Sequence, residues 1–288
     1  MSDAIEIAHG PFGRVALLDM DRGLVRHAHP HCHVLLKVEG DDTQFLVGER
    51  IVSLTNEQAV LVNAWETHSY VHDPSRDKAV ILALYIEPAW LGAFRTNWAA
   101  SGAPGFFAEP IGIVTHTIRR FAHDLAAEMV SDPDSSRIQD DLLSGLMVAA
   151  LERFTAWREI GTSLRDLARR SVPDHRIRRA LAKMRDEPGL LDGVEALARD
   201  AGLSRAHFYR LFEQSTGAPP HVFLNGIRIE RAVSAIVRTN DSLAGIGADL
   251  GFAAPGHFSR FFRDHSGVSP SAFRALARRA GGSAASRI

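Results

Sequence analysis

The hydrophobic pattern divides the chain into a strand-rich first part and a helix-rich remainder. Up to about residue 90, short apolar and β-branched runs alternate with Gly, Asp and Asn, which commonly end strands. Strands are predicted at residues 14–20, 34–40, 44–48, 50–54, 59–63 and 78–86. Short strands at this spacing indicate an all-β barrel or sandwich.

Two amphipathic helices are predicted after this region. Residues 115–130 place apolar side chains at spacings of three and four, which is the stripe of a helix with one buried face. Residues 139–157 form a second helix with a broad apolar side. That side needs a partner, which is either the preceding helix or the same helix of a second subunit. We therefore predict that this helical segment dimerises the protein.

The C-terminal part contains an internal repeat. Residues 202–223, GLSRAHFYRLFEQSTGAPPHVF, match residues 251–273, GFAAPGHFSRFFRDHSGVSPSAF, with an offset of 50 residues from the shared histidine onward. Each copy follows a short helical pattern that ends in Gly. This order of helix, turn and second helix indicates two helix-turn-helix units, with Ser204 as the cap of the second helix in the first unit.

The second helix of each copy has an inner and an outer face. The inner stripe holds Phe208, Leu211, Phe212 and Ser215 in the first copy and the phenylalanines Phe258, Phe261 and Phe262 in the second. Their strict helical spacing favours packing in a core over stacking on bases. The outer face is small and polar, and it carries an arginine at matching positions. Small residues allow a helix to enter a major groove, where arginine can recognise guanine.

The charge of the chain is unevenly distributed. Residues 176–288 contain 17 Arg and Lys against 10 Asp and Glu, a net of +7, whereas residues 1–175 contain 16 against 24, a net of −8. All but one of the C-terminal cations are Arg, which forms forked contacts with phosphate and guanine. This asymmetry suggests that only the C-terminal part meets a polyanion, although a basic surface can also serve solubility alone.

Residues 176–280 resemble the DNA-binding domain of the AraC/XylS family of bacterial transcription regulators. The resemblance rests on LARDAGLSRAHFYRLFEQSTGAPP, on the joining helix RIERA at 228–232, and on IGADLGFAAPGHFSRFFRDHSGVSPSAFR. The last stretch is close to the family signature GF-x5-F-x-R-x-F-x4-G-x-SP-x2-FR. The family architecture implies two helix-turn-helix units joined by one long helix, with recognition helices in successive major grooves of double-stranded promoter DNA.

The resemblance also implies which residues meet DNA. Those expected to face bases are Ala206, Tyr209 and Arg210 in the first unit and Pro255, Gly256, Ser259 and Arg260 in the second. Those expected nearer the backbone are Ser204, Arg205, His207 and His257. Since proline and glycine offer no hydrogen-bonding side chain, the second unit is expected to hold phosphate more than it recognises sequence.

The N-terminal part contains a dense histidine stretch, RHAHPHCH at 26–33. Many members of this family sense a small molecule in an N-terminal cupin-like barrel, and residues 24–72 resemble such a barrel. The cupin metal pattern is His-x-His, then Glu, then a later His. Here the corresponding residues are His27, His29, His33 and His68. The Gly and Pro usual near the last histidine are replaced by Asn63, Ala64 and Trp65.

Three interpretations of these histidines stay open. Alternate residues of a strand share a face, but His27, His29, His31 and His33 would span about 20 Å if extended, so one ion cannot reach all of them. Pro30 also interrupts the strand. The four cupin-position histidines either form hydrogen bonds without a ligand, or line an effector pocket with Trp65 as its apolar wall, or bind a divalent transition metal such as Zn, Ni, Cu or Fe(II). The resemblance favours the first two, so no cofactor is expected.

Other features exclude several classes of protein. The single cysteine, Cys32, allows no intrachain disulfide, the start lacks a signal-peptide pattern, and the apolar runs are too short to span a membrane. We therefore predict a cytoplasmic protein without membrane contact. A metal-dependent oxygenase or isomerase is the enzymatic alternative, but no further catalytic constellation is present, and we predict that the protein is not an enzyme. A non-specific architectural DNA-binding protein is the third class.

The predicted fold is an all-β cupin-like barrel followed by helices, and then an all-α DNA-binding domain with two helix-turn-helix units. The predicted bounds are 1–108 for the sensor barrel, 109–158 for the dimerisation segment, 159–175 for a linker, 176–280 for the DNA-binding domain and 281–288 for a disordered tail. We predict an effector-responsive regulator, by resemblance an activator, that acts as a homodimer. Its expected partners are promoter DNA, RNA polymerase and a small-molecule effector.

Overall fold

A computed structural model describes residues 3–94, 105–133, 136–155, 174–191 and 193–282. The predicted linker at 159–175 lies outside the described residues except for its last two positions, and so does most of the predicted tail at 281–288.

The N-terminal domain is built from antiparallel strands. They are β1 (Asp3–Gly10), β2 (Gly13–Met20), β3 (Cys32–Gly40), β4 (Thr43–Val47), β5 (Arg50–Leu54), β6 (Gln58–Val62), β7 (His68–Val71), β8 (Ala79–Ile86) and β9 (Ile111–Ile113). One sheet has the order β1-β2-β8-β3-β6-β9, and the other has the order β5-β4-β7.

Within the described ranges these two sheets do not close into a barrel, which corrects the predicted barrel. The consecutive strands β5 and β6 lie in different sheets, so no ladder joins the sheets at that edge. Strand β9 pairs with β6, so the larger sheet continues past residue 108, the predicted end of the sensor barrel.

Both faces of the larger sheet are buried. Successive residues of a strand point to opposite faces, and accordingly Leu35 enters one apolar cluster while Leu36 enters the other. Ile81 and Leu82 divide in the same way. This explains why β8 is apolar at almost every position, a pattern typical of strands covered on both sides.

One face of the larger sheet is covered by helices. Helix α1 (Pro88–Phe94) is short, and α2 (His116–Ser131) and α3 (Ser136–Phe154) pack on each other and on the sheet. The Thr115 hydroxyl caps α2 by accepting from the N–H of Ile118. The apolar stripes of α2 and α3 are thus buried against the sheet and against each other. Three apolar side chains of these helices stay exposed, namely Val130, Ile138 and Val148.

The C-terminal domain is helical throughout its described part. Its helices are α4 (His175–Asp186), α5 (Val194–Asp200), α6 (Arg205–Thr216), α7 (Pro220–Arg238), α8 (Leu243–Asp249), α9 (Pro255–Ser266) and α10 (Pro270–Gly282). The repeat is visible in the backbone, because α6 and α9 both end at a left-handed glycine, Gly217 and Gly267, with φ of 81° in each case. The predicted helix-turn-helix order is confirmed, with α5 and α6 in the first unit and α8 and α9 in the second.

The two domains share a core. The second unit contributes Phe258, Phe262 and Phe273 to the same apolar cluster that contains Ile7 and Ile81 of the larger sheet. The first unit has its own cluster around Phe208 and Phe212. The second unit therefore shares its core with the larger sheet, and the helix that follows it, α10, packs on β1.

Candidate DNA-binding surface and histidine cluster

Helix α6 separates a buried stripe from an exposed outer face. Phe208 and Phe212 are completely buried, which confirms their predicted place in the core. Ser204 accepts from the N–H of His207 at 3.3 Å and so caps the helix, as its position predicts. The predicted contact residues on the outer side are all exposed except for one; the exposed ones are Ser204, Arg205, Ala206, His207 and Arg210.

The exception is Tyr209, which is partly buried. The Arg205 guanidinium lies 5.3 Å from the centre of its ring and 3.4 Å from a carboxylate oxygen of Glu195. Because this ion pair is exposed, its contribution to stability is small. Arg205 can therefore leave it and contact an approaching phosphate at low cost.

Helix α9 repeats this division. Phe258 and Phe262 are buried, and the predicted contact residues Pro255, Gly256, His257, Ser259 and Arg260 are all exposed. The outer faces of α6 and α9 together form what we call the recognition surface. The recognition surface is therefore exposed, as it must be if these helices are to enter a major groove.

The second recognition helix also borders the N-terminal domain. His257 and Arg260 line a cavity of about 320 Å³ together with Val25 and Arg26. The N–H of Val25 donates to the carbonyl of Asp264 in α9 at 3.3 Å. A change in the conformation of the segment around residue 25 would therefore alter this direct contact with α9.

Three of the singled-out histidines converge in the N-terminal domain. His27, His29 and His68 are buried, and one ring nitrogen of each lies within 4.8 Å of the corresponding nitrogens of the other two. A backbone bridge between residues 27 and 68 brings the two segments together, with both N–H to carbonyl distances at 2.9 Å. We call these three residues the histidine cluster.

The single strand face considered for these histidines is not observed. Strand β3 begins only at Cys32, and the residues before it have no regular structure apart from the bridge at His27. His33 is buried beside the cluster, where it stacks on Tyr85 at 4.1 Å between ring centres. His31 points elsewhere, and its Nε2 lies 3.3 Å from a carboxylate oxygen of Glu87.

Trp65 lies in the contact between domains. Its indole stacks on Phe223 of α7 with 3.8 Å between ring centres, and the backbone N–H of Trp65 donates to the carbonyl of His29 at 2.8 Å. Its φ is 64°, so the turn keeps the left-handed backbone that glycine usually provides. A bulky residue pays about 1–2 kcal/mol for this conformation. The stacking and the hydrogen bond hold it there.

Burial keeps the histidine rings uncharged. It lowers the pKa of His68 to about 4, and it lowers the pKa of His27 and His29 well below 6.5, with repulsion from neighbouring histidines adding to the effect. The rings are therefore neutral at physiological pH, which is the form that binds metals.

Four further residues of this region gave no signal in the sequence. His265 of α9 lies 6.3 Å from the ring centre of His27, and Tyr85 of β8 lies 5.1 Å from that of His29. The Arg14 guanidinium packs on Tyr85 and approaches Glu230 of α7 at 3.8 Å. All four come from distant parts of the chain, so local periodicity could not have identified them.

Family comparisons agree with this two-part architecture. Residues 19–151 match the AraC-like ligand binding domain, and residues 197–276 match a helix-turn-helix domain. A ligand-binding domain followed by a helix-turn-helix domain defines a class of ligand-binding transcription regulators. The chain belongs to the AraC family of these regulators.

Individual relatives support the assignment. An uncharacterized HTH-type transcriptional regulator of Haemophilus influenzae is 31% identical over 104 residues, which are 36% of this chain and 35% of the relative. The HTH-type transcriptional activator RhaR of Escherichia coli is 24% identical over 254 residues, 87% of this chain and 86% of RhaR. The chain matches about a third of the length of the first curated relatives.

A solved structure shares the fold. Apo ToxT from Vibrio cholerae aligns with a TM-score of 0.54 at 14% identity, over 94% of this chain and 99% of the other.

In the part of the chain that the structure describes, no helix is both long and apolar enough to cross a membrane.

Proposed function

We propose that this protein is an effector-responsive regulator that binds a specific promoter site through α6 and α9 and activates transcription. The observation that carries the proposal is the recognition surface, because each helix buries its phenylalanines and exposes small polar residues with an arginine at the matching position. The C-terminal net charge of +7, from 17 cations and 10 anions, suits a polyanionic partner.

The test of this proposal is the substitution Arg210→Ala. A bidentate arginine–guanine pair contributes about 1–3 kcal/mol of discrimination. We therefore expect specific affinity to fall by about 5- to 150-fold, together with a relaxed preference at one base pair. The measurement is selection of a binding site from random DNA, followed by affinity titration of wild type and variant at fixed salt concentration.

The control is Arg185→Ala, which removes an exposed arginine of α4, outside both helix-turn-helix units. It should leave the selected base preference unchanged. Equal affinity and equal preference for Arg210→Ala and wild type would contradict the placement of α6 in a groove. Wild-type protein that binds random DNA as tightly as the selected site would instead indicate an architectural protein.

The N-terminal domain is the proposed sensor. We place the small-molecule effector at His27, His29, His33, Trp65 and His68, which lie against the DNA-binding domain. A sensor changes its DNA affinity and releases its ligand unaltered, so catalysis forms no part of the proposal. An activator also contacts RNA polymerase, and a bacterial regulator of promoters works in the cytoplasm.

A homodimer through residues 109–158 completes the proposal. The apolar side chains Val130, Ile138 and Val148 on the outer side of α2 and α3 support it. We expect wild-type protein to sediment as a dimer and Val148→Glu to shift the population toward monomer, because a charge in an apolar interface is costly. Analytical ultracentrifugation decides this, with exposed His123→Glu on α2 as the control. A wild-type monomer at all concentrations would contradict dimerisation.

A further inference from the structure

We propose that the histidine cluster binds one divalent transition-metal ion through the Nε2 atoms of His27, His29 and His68. The site lies where the segment before β3 meets the start of β7, next to the contact with the DNA-binding domain. Three features of the rings carry the proposal: their tautomers, their lack of other partners and their spacing.

The tautomers leave Nε2 available as a ligand. The Nδ1 atoms of His27, His29 and His68 lie 2.8, 2.9 and 3.0 Å from the carbonyl oxygens of Val25, His31 and Glu66. A carbonyl can only accept, so each Nδ1 carries the proton and each Nε2 carries a lone pair. Metal-binding histidines are typically oriented by such a hydrogen bond from the other ring nitrogen.

The free nitrogens lack partners. Among the described residues, no hydrogen-bond partner exists for the buried Nε2 atoms of His29 and His68, nor for either ring nitrogen of His33. A buried polar atom without a partner destabilises the fold, and native structures rarely keep several in one place. An ion shared by the cluster would satisfy the Nε2 atoms of His29 and His68 at once.

The spacing of the three ring nitrogens is close to that of a tetrahedral metal site. In a tetrahedral site with metal–nitrogen distances of about 2.0–2.1 Å, neighbouring nitrogens are about 3.3 Å apart. One ring nitrogen of each of the three histidines lies within 4.8 Å of those of the other two, which is about 1.5 Å or less beyond the spacing that one tetrahedral ion requires. Three neutral imidazoles suit Zn, Ni, Cu, Co or Fe(II), and they are poor ligands for Ca²⁺ or Mg²⁺.

His33 lies beside the cluster, with its ring centre 5.2 Å from that of His29 and 5.7 Å from that of His68.

The segments that carry the proposed metal ligands also contact the DNA-binding domain. Val25, which anchors His27, donates to Asp264 of α9, and His29 accepts from Trp65, which stacks on α7. An ion that fixes these segments should therefore change how α9 is held, and with it DNA affinity. This regulatory part rests on the proposed function, whereas the metal site itself does not.

The experiment measures metal content and affinity of the untagged full-length chain. We expect about one Zn²⁺ per chain by elemental mass spectrometry after dialysis, and Co²⁺ substitution should give the strong d–d bands of a tetrahedral site. A sulfur charge-transfer band should be absent, because Cys32 is buried in the opposite apolar cluster. His29→Ala and His68→Gln should each weaken Zn²⁺ affinity by more than about 100-fold, since even residues that only orient ligands contribute 10- to 100-fold.

The control His123→Ala removes an exposed histidine on α2 and should keep full metal content. Folding of each variant is checked by circular dichroism against metal-free wild type, and the Co²⁺ spectrum of wild type tests the site without any substitution. A wild-type chain that takes up none of Zn²⁺, Ni²⁺, Cu²⁺, Co²⁺ or anaerobic Fe²⁺ would overturn the metal site. Undiminished metal content in the folded His29→Ala and His68→Gln variants would overturn its placement.

DNA titration with and without bound Zn²⁺ tests the regulatory part. A change in affinity in wild type that is absent in His68→Gln supports it. Equal affinities with and without the ion overturn it but leave the metal site intact. Failure of all forms to select any DNA sequence contradicts the proposed function alone, because metal content is measured independently.

Discussion

Replacing Phe262 by Ala is expected to lower the free energy of unfolding by about 3–5 kcal/mol. The ring is completely buried in α9, and its centre lies 6.0 Å from that of Phe258 and 5.3 Å from that of Phe273. Removing it leaves a cavity that rigid neighbours on both sides cannot fill. The measurement is chemical denaturation followed by circular dichroism.

The consequence extends beyond the helix-turn-helix unit. The same apolar cluster includes Ile7 and Ile81 of the larger sheet, so the cavity should also weaken the packing of the second unit on the N-terminal domain. The control is Val237→Ala in α7, whose side chain is 37% exposed and whose loss should change stability by less than about 1 kcal/mol. Equal losses in the two variants would contradict the placement of Phe262 in a shared core.

The helix-turn-helix units could be predicted closely because their signals are local. Helical spacing places Phe208 and Phe212 four residues apart on one stripe, a serine starts α6 and a glycine ends it. None of these features depends on what the unit packs against. The second copy repeats the two phenylalanines and the glycine at an offset of 50 residues, although Ala254 stands where the serine would be.

The shared core could not be predicted, because periodicity shows that a face is buried but not what covers it. The continuous apolar run of β8 signals that both faces are covered. Only the fold shows that α2 and α3 cover one face and the second unit covers the other. Strands β1 and β7 were missed because polar residues interrupt their apolar pattern, and β9 because it is only three residues long.

The histidine cluster illustrates the limit of spacing arguments. Alternation suggested a row along one strand, yet the segment before β3 is irregular and His27 pairs with His68, 41 residues away along the chain. The candidates His27, His29 and His68 were identified by their positions, but their convergence depends on this distant bridge. Neither its partner nor the hydrogen bonds that set the ring tautomers leave a local signal.

Replacing Gly226 by Val is expected to separate the first helix-turn-helix unit from the N-terminal domain. A Cβ atom at this position of α7 would lie 2.3 Å from the carbonyl oxygen of Ala28 and 3.2 Å from the Trp65 ring. A backbone oxygen cannot move away alone, so the segment that carries His27 and His29 must move with it. The stack of Trp65 on Phe223 would be lost as well. Overpacking of this kind costs about 1–3 kcal/mol.

The functional result follows from what the substitution leaves untouched. The recognition surface does not involve this contact, and the cluster around Phe212 loses only the Trp65 ring at its edge. Sequence-specific DNA binding should therefore persist while its response to effector or metal is lost. Small-angle X-ray scattering should show a larger radius of gyration, and DNA titration should give one affinity under all conditions. Ser234→Val, at an exposed position of the same helix, should keep both the compact shape and the response. A compact Gly226→Val protein with a normal response would show that this contact does not carry the signal between the two domains.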